Sequence, residues 1–391
     1  MATIKTDICV IGAGSGGLSV AAGAVQMGAR VVLIEAAEMG GDCLNAGCVP
    51  SKALIAAGKH AHAMTDGARF GVAPVVPQVD FEVVKDHVAR VIAEIAPVDS
   101  QARFEGLGVH VIRAWARFTA PDVVVAGDDT IMARRFVIAT GSRPFVPPIP
   151  GLERVPYLTN ETLFALRDQP THLIVIGGGP IGMEMAQAHR RLGSAVTVIE
   201  ADRALGREDP EMAAVVLDAL RAEGVVIEEG APVTSVSGGA GDLAVTLGDG
   251  RIIAGSHLLV AVGRRVALAD MGLDAARVAH TAKGVTVGAD LRSTTNRRVY
   301  AVGDAVGGAQ FTHVAGYHAG VAIRSLLFGL PSKATDRHIP RATYTQPELA
   351  QVGLTEAEAQ RAHGQRLTVV RFPFDQNDRA QAEGRTEGLI K

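Results

Sequence analysis

Two stretches of this chain share one grammar of strand, glycine turn, helix, strand and acid, and few folds accommodate it. In the first, residues 7–11 form an apolar run and Gly12-Ala13-Gly14-Ser15-Gly16-Gly17 supplies the turn. An Ala-rich helix over 18–27 ends at Gly28, and a strand over 30–34 closes on Glu35. In the second, His172–Ile176 is apolar and Gly177-Gly178-Gly179-Pro180-Ile181-Gly182 turns the chain. A helix over 183–192 ends at Gly193, and Ala195–Ile199 runs into Glu200. From first glycine to acid the interval is 23 residues both times (35 − 12 and 200 − 177). Such units build parallel, doubly wound α/β domains that hold dinucleotides. The first Gly allows the tight turn, the second lets backbone approach a pyrophosphate, and the third lets helix and strand pack closely. The helix start offers free N–H groups and a positive dipole end to the phosphates, and the acid accepts from a ribose hydroxyl.

The chain has 391 residues, room for two or three domains. With 48% hydrophobic and 20% charged residues it is not a disordered chain. Its 38 basic and 41 acidic side chains leave a net charge of −3, too little field to call for nucleic acid or an anionic membrane. Residues 8–29 carry no charge, a length that would suit a membrane span or a signal. Six glycines between Gly12 and Gly28, and Asp7 where a signal would be basic, argue against both. A cytoplasmic protein is expected.

Further helices are expected over 51–64 and 81–95, the latter broken by Pro97. Strands are expected over 109–118, 123–125, 136–139 and 298–302. A helix over 313–328 is stopped by Gly329 and Pro331, and beyond 341 short strands surround a helix over 355–362.

Redox chemistry is suggested between Cys43 and Cys48. Two cysteines with four residues between them close a small disulfide ring if the backbone brings their Cα atoms within about 7 Å. A helix from about residue 50 would put Cys48 at its N-terminus, where a thiolate is favoured. In a cytoplasmic chain such a pair is catalytic more often than structural, the alternative being two buried thiols. No further ligands are spaced for a metal, and three cysteines are too few for a secreted disulfide scaffold. Cys9, inside the first strand, is read as core.

In sequence order, the first glycine turn with Glu35, the stretch Gly40-Gly41-Asp42-Cys43-Leu44-Asn45-Ala46-Gly47-Cys48-Val49-Pro50-Ser51-Lys52, and Ala139-Thr140-Gly141-Ser142-Arg143-Pro144 are followed by the second turn with Glu200. Val262-Gly263-Arg264-Arg265 and Tyr300-Ala301-Val302-Gly303-Asp304 complete the series. Together they resemble the flavin-dependent pyridine nucleotide–disulfide oxidoreductases, which include dihydrolipoamide dehydrogenase, glutathione reductase and mercuric reductase. The resemblance implies FAD on Gly12, Gly14, Gly17 and Glu35, with Gly141, Gly263 and Asp304 also at the cofactors and Lys52 near the flavin ring. It implies NAD on Gly177, Gly179, Gly182 and Glu200, with Glu184 close to the nicotinamide and to Lys52. Cys43, Cys48, Lys52 and Glu184 are the implied catalytic set. Cys48 would be the sulfur beside the ring and Cys43 the one that exchanges with substrate. The implied domains are FAD-binding over 1–150 and 271–335, NAD-binding over 151–270, and an incomplete C-terminal dimerisation domain over 336–391. The family's His–Glu base motif is expected to lie outside this chain, and a homodimer is expected when the chain is full length. Ala22, Gly23 and Ser51 stand where glutathione reductases carry basic residues, so a lipoyl-type dithiol is the expected substrate. Residues 206–210 and 220–224 resemble mercuric reductase, which keeps mercuric ion as the alternative. A nucleotide-binding scaffold with little turnover is the contrasting class. On the helix that follows residue 311, His313 is a candidate base or a satisfied histidine, and His318 is read as satisfied.

Overall fold

The computed structural model describes residues 2–391. The chain divides into two compact units. The first comprises Met1–Pro50, Ala89–Pro144 and Arg264–Asp336; the second comprises Ser51–Val88, Phe145–Gly263 and Arg337–Lys391.

In the first unit the strand Thr3–Ile11 lies at the centre of a parallel core. It pairs with Val31–Glu35 on one side and Asp129–Ile138 on the other, and these continue to His110–Arg113 and Val299–Ala301. Side chains alternate across the sheet. Ile8 and Val10 face a layer with Leu18, Val20, Ala319 and Ala322, whereas Cys9 and Ile11 face Phe118, Val124 and Phe136. Covered on both faces, these strands read as continuous apolar runs. Each fully buried aliphatic side chain contributes about 1.5–3 kcal/mol. Cys9 is fully buried, and its surroundings push the thiol pKa up.

Two expectations need correction here. The helix begun at Phe81 is not broken by Pro97 but runs as Phe81–Asp99. Pro97 stands in the last turn, where it gives up the one backbone bond to Ala93 O and only two residues follow it. Ser100 then caps the next helix, Gln101–Gly106, by accepting from Arg103 N–H. The apolar stretch 109–118 is two strands: His110–Arg113 runs parallel to Val31–Glu35, and Ala116–Ala120 turns back antiparallel to Val123–Ala126.

In the second unit a parallel sheet has the order Val226–Glu228, Ala195–Ile199, His172–Ile176, His257–Val260. An antiparallel sheet of Val233–Gly239, Asp242–Leu247 and Ile252–Gly255 accompanies it, and Val236, Leu243 and Val245 share a core with Ile174 and Ile176. Helix Pro180–Arg191 has most of its residues buried. Its His189 is fully enclosed, with Nδ1 2.9 Å from Met185 O, Phe81 beside the ring and Nε2 without a hydrogen-bond partner among the described residues. Beyond Arg337 two short antiparallel pairs form, Pro340–Thr343 with Leu349–Val352 and Phe372–Pro373 with Leu389–Ile390. Besides the expected helix, found at Glu356–His363, a second short one spans Asp378–Ala382. Among the described residues no helix is long and apolar enough to cross a membrane.

Candidate active site

The two glycine turns are built alike. A methyl carbon on Gly17 would stand 1.8 Å from Gly12 O, and one on Gly182 would stand 2.0 Å from Gly177 O. Each third glycine therefore lets its helix lie directly on the turn. Gly12 and Gly177 hold φ of +103° and +111°, where a side chain is strained. The middle glycines differ in kind. Gly14 and Gly179 are the N-caps of Ser15–Gln26 and Pro180–Arg191, and neither helix has a side-chain cap or an acid in its first turn. Gly179 faces open space and Gly14 has only Gly41 Cα, 3.8 Å from a notional Cβ. Each helix thus presents uncapped N–H groups beside a clear approach, which suits a pyrophosphate.

The acids also match. Glu35 accepts from Ala13 N–H (2.6 Å) and Ala37 N–H (2.7 Å); Glu200 accepts from Gly178 N–H (2.7 Å) and Asp202 N–H (3.1 Å). Each carboxylate is locked at the end of its strand with lone pairs left for a ribose. The residues present fit two dinucleotides.

Within the first unit, Cys43 lies in the short helix Gly41–Asn45 and Cys48 is the first residue of the helix Cys48–Ala63. The two stand as thiols, with Cys43 hydrogen-bonded to Cys48. That bond, followed by burial, pushes the Cys43 thiol pKa up, while contacts with Thr312 and Ser15 act the other way. Cys48 Sγ is 3.3 Å from Thr312 Oγ1. Thr312 opens the helix Thr312–Phe328, so a second helix start faces the sulfur pair.

Asp304 sits in the turn Gly303–Val306, where the N-cap is Val302, so Asp304 does not act as a cap. Its Oδ2 accepts from Ser142 Oγ at 2.5 Å. Ser142 Oγ in turn accepts from Arg264 Nε (2.7 Å), and Arg264 Nη2 reaches both Ser142 O (2.8 Å) and Asp42 Oδ1 (3.1 Å). Burial raises the Asp304 pKa, with Ser142 and Arg264 opposing it and Asp42 adding to it. Gly141 has φ of +69° and nothing within 4 Å of a notional Cβ, a cleared approach beside Ser142. Gly263 is likewise open at φ +127°, in the second unit. Gly303 N–H donates to His318 Nδ1 at 3.2 Å, and burial lowers the pKa of that histidine. His318 is therefore a satisfied residue. His313 stacks on Phe311, ring centroids 5.4 Å apart.

In the second unit Lys52 Nζ and Glu184 Oε2 are 2.9 Å apart. Glu184 is almost entirely buried, and its Oε1 accepts from Tyr344 N–H at 2.9 Å. Sequence reasoning missed Thr312, Ser142, Arg264 and Tyr344. Ser142 and Arg264 lie inside motifs that were legible, beside Gly141 and Gly263, and Thr312 adjoins His313. Among the described residues, no group of three His, Cys, Asp or Glu side chains is placed to hold a metal ion.

The family model described as pyridine nucleotide-disulphide oxidoreductase matches residues 6–319, and the model of that family's dimerisation domain matches residues 339–391. The chain belongs to this family. The family uses FAD and NAD(P)H. Mercuric reductase of Bacillus cereus is 35% identical over 389 residues, covering 98% of this chain and 62% of that protein. The chain thus spans about three fifths of the length of that relative. Dihydrolipoyl dehydrogenase of Bacillus subtilis (strain 168) is 33% identical over 399 residues, covering 99% of this chain and 84% of that protein. Among solved structures, the HOCl-induced flavoprotein disulfide reductase RclA from Escherichia coli superimposes with a TM-score of 0.86 at 30% identity. That match covers 98% of this chain and 85% of that one.

Proposed function

We propose that this pyridine nucleotide-disulphide oxidoreductase passes electrons from NAD(P)H through FAD to the Cys43–Cys48 pair, and from there to a small disulfide of lipoyl type. Gly12, Gly14, Gly17 and Glu35 would hold FAD, with Gly141 and Asp304 lining its approach. Gly177, Gly179, Gly182, Glu200 and Gly263 would hold the nicotinamide nucleotide. On this reading residues 1–150 and 271–335 serve FAD, 151–270 serve NAD(P)H, and 336–391 serve a homodimer in the cytoplasm. Bound FAD supplies the relay between a hydride donor and a two-electron sulfur couple.

The observation that carries the reading is the sulfur pair itself, hydrogen-bonded together and meeting Thr312 at a helix start. A helix N-terminus stabilises thiolate. Cys48 opens its own helix; the family resemblance gives it the flavin side and gives Cys43 the exchange with substrate. Reduction of the oxidised pair consumes one NADH and one proton and yields NAD⁺ and two thiols. Lys52 would stand near the flavin ring, with Glu184 as its partner close to the nicotinamide. A second reading, reduction of mercuric ion, is favoured by the mercuric reductases among the relatives at 35–36% identity.

Counting thiols tests the common core. The chain has three cysteines. Denatured after oxidation, it should expose one thiol, Cys9; denatured after anaerobic NADH, it should expose three. A count that NADH leaves unchanged overturns the proposal. NADH oxidation driven by lipoamide or by mercuric ion then separates the two acceptors.

A further inference from the structure

Helix Pro180–Arg191 presents Glu184, Gln187 and Arg191 at positions i, i+3 and i+7, along one face. Residues 344–346, part of the segment matched by the dimerisation model, lie on that face. Tyr344 N–H donates to Glu184 Oε1 at 2.9 Å, and Gln346 N–H donates to Gln187 Oε1 at 2.8 Å. Gln187 Nε2 returns a bond to Gln346 O at 2.9 Å, and Arg191 Nη1 donates to Gln346 Oε1 at 2.9 Å. Arg191 is itself anchored by a forked pair of bonds to Glu223, at 2.7 and 2.6 Å. Thr343 and Thr345, flanking Tyr344, are buried. The chain is thus laid on the helix as a strand is laid on a ladder, with side chains serving as the rungs.

Tyr344 adds a contact that its backbone does not explain. Lys52 Nζ lies 4.3 Å from the centre of the Tyr344 ring. The ring face carries negative charge and attracts an ammonium. Glu184 therefore gives one oxygen to Lys52 and the other to Tyr344 N–H, while Lys52 is held between Glu184 and the Tyr344 ring. Without the ring, one of the two groups that hold the ammonium is gone.

We propose that Tyr344 is a positioning residue for the Lys52–Glu184 pair, and that through residues 344–346 the dimerisation segment sets the alignment of that pair. The part of this that concerns catalysis rests on the roles given to Lys52 and Glu184 above. The geometric part stands without them.

The test uses the flavin-loaded protein as purified, free of nicotinamide. Trace acetic anhydride labels lysine amines, and peptide mass spectrometry reports Lys52 against exposed Lys283, which lies in the other unit. Tyr344→Phe keeps the ring and should label like wild type. Tyr344→Leu keeps the N–H but loses the ring, and Lys52 labelling should rise about fivefold. Tyr344→Met, an unbranched replacement, repeats the measurement if Tyr344→Leu does not fold. In the folded ring-less variant, kcat for NADH-dependent dye reduction should fall about fivefold while the KM for NADH stays within about twofold. Lys52 labelling unchanged in a folded ring-less variant overturns the proposal. Labelling that rises while kcat for NADH-dependent dye reduction stays unchanged would keep Tyr344 as the positioning residue and overturn instead the catalytic role of Lys52 and Glu184.

Discussion

His189 should make the second unit acid-sensitive in a way that one substitution removes. It is fully buried on the helix that carries Glu184. Burial pushes its pKa down from 6.5 to about 4, with Lys85 and His257 adding to the effect and the bond to Met185 O opposing it. In the folded chain the ring stays neutral until about pH 4, whereas in the unfolded chain it takes up a proton near pH 6.5. The stability that the neutral ring contributes is therefore complete above pH 6.5 and is lost as the pH falls towards 4. The displacement of about 2.5 in pKa is worth about 3 kcal/mol at about 1.4 kcal/mol per unit, and about 2.5 kcal/mol of it is lost by pH 4.5. His189→Leu fills the site without a titrating group. Urea unfolding followed by far-UV circular dichroism at pH 7.5 and 4.5 gives the measurement; the single tryptophan, Trp115, lies in the first unit and would not report it. Wild type should lose about 2.5 kcal/mol more than the variant over this range. Equal losses would refute the reasoning, because every other acid-sensitive group is common to both proteins.

Three further outcomes are expected. Glu200→Ala should narrow a preference for NADH over NADPH, seen in kcat/KM, because a carboxylate at this position repels a 2′-phosphate; an unchanged ratio would remove Glu200 from the nucleotide site. Gly17→Ala sets a methyl 1.8 Å from Gly12 O and should release flavin on gel filtration, whereas Gly182→Ala, at 2.0 Å from Gly177 O, should keep flavin and weaken NADH binding. Both variants losing the same nucleotide would contradict the division of the turns. Arg264→Met removes the cation that ties Ser142 to Asp42 and should lower flavin content, measured by absorbance after denaturation; full retention would make that network purely structural.

The repeated turns and their acids were legible because backbone geometry dictates them: a short interval, a glycine wherever two backbones touch, an acid where a strand ends. The cysteine pair was legible for the same local reason. The network around Asp304 was not, since Arg264 meets Ser142 across 122 residues and no spacing records that contact. Tyr344 lies 160 residues from Glu184 and donates from its backbone, so its residue type carries no trace of that bond. Pro97 misled because a proline in the last turn costs one backbone bond and need not end the helix before it. The strands over 233–255 went unread because they are short, at four to seven residues, and two of them include glycine.

The bonds from Ala13 N–H to Glu35 and from Gly178 N–H to Glu200 form within the chain, each tying a turn to its own acid. Each turn is fixed when its unit folds, and the entropy of ordering it is spent then rather than on encounter. On the proposed reading a dinucleotide would meet a cradle already set by the chain's own bonds, so capture would have no loop to freeze and its rate would follow diffusion and charge. With a net charge of only −3, the overall field scarcely repels an anionic cofactor, and association should depend only weakly on ionic strength. Nucleotide exchange would then be governed by how fast the cofactor leaves.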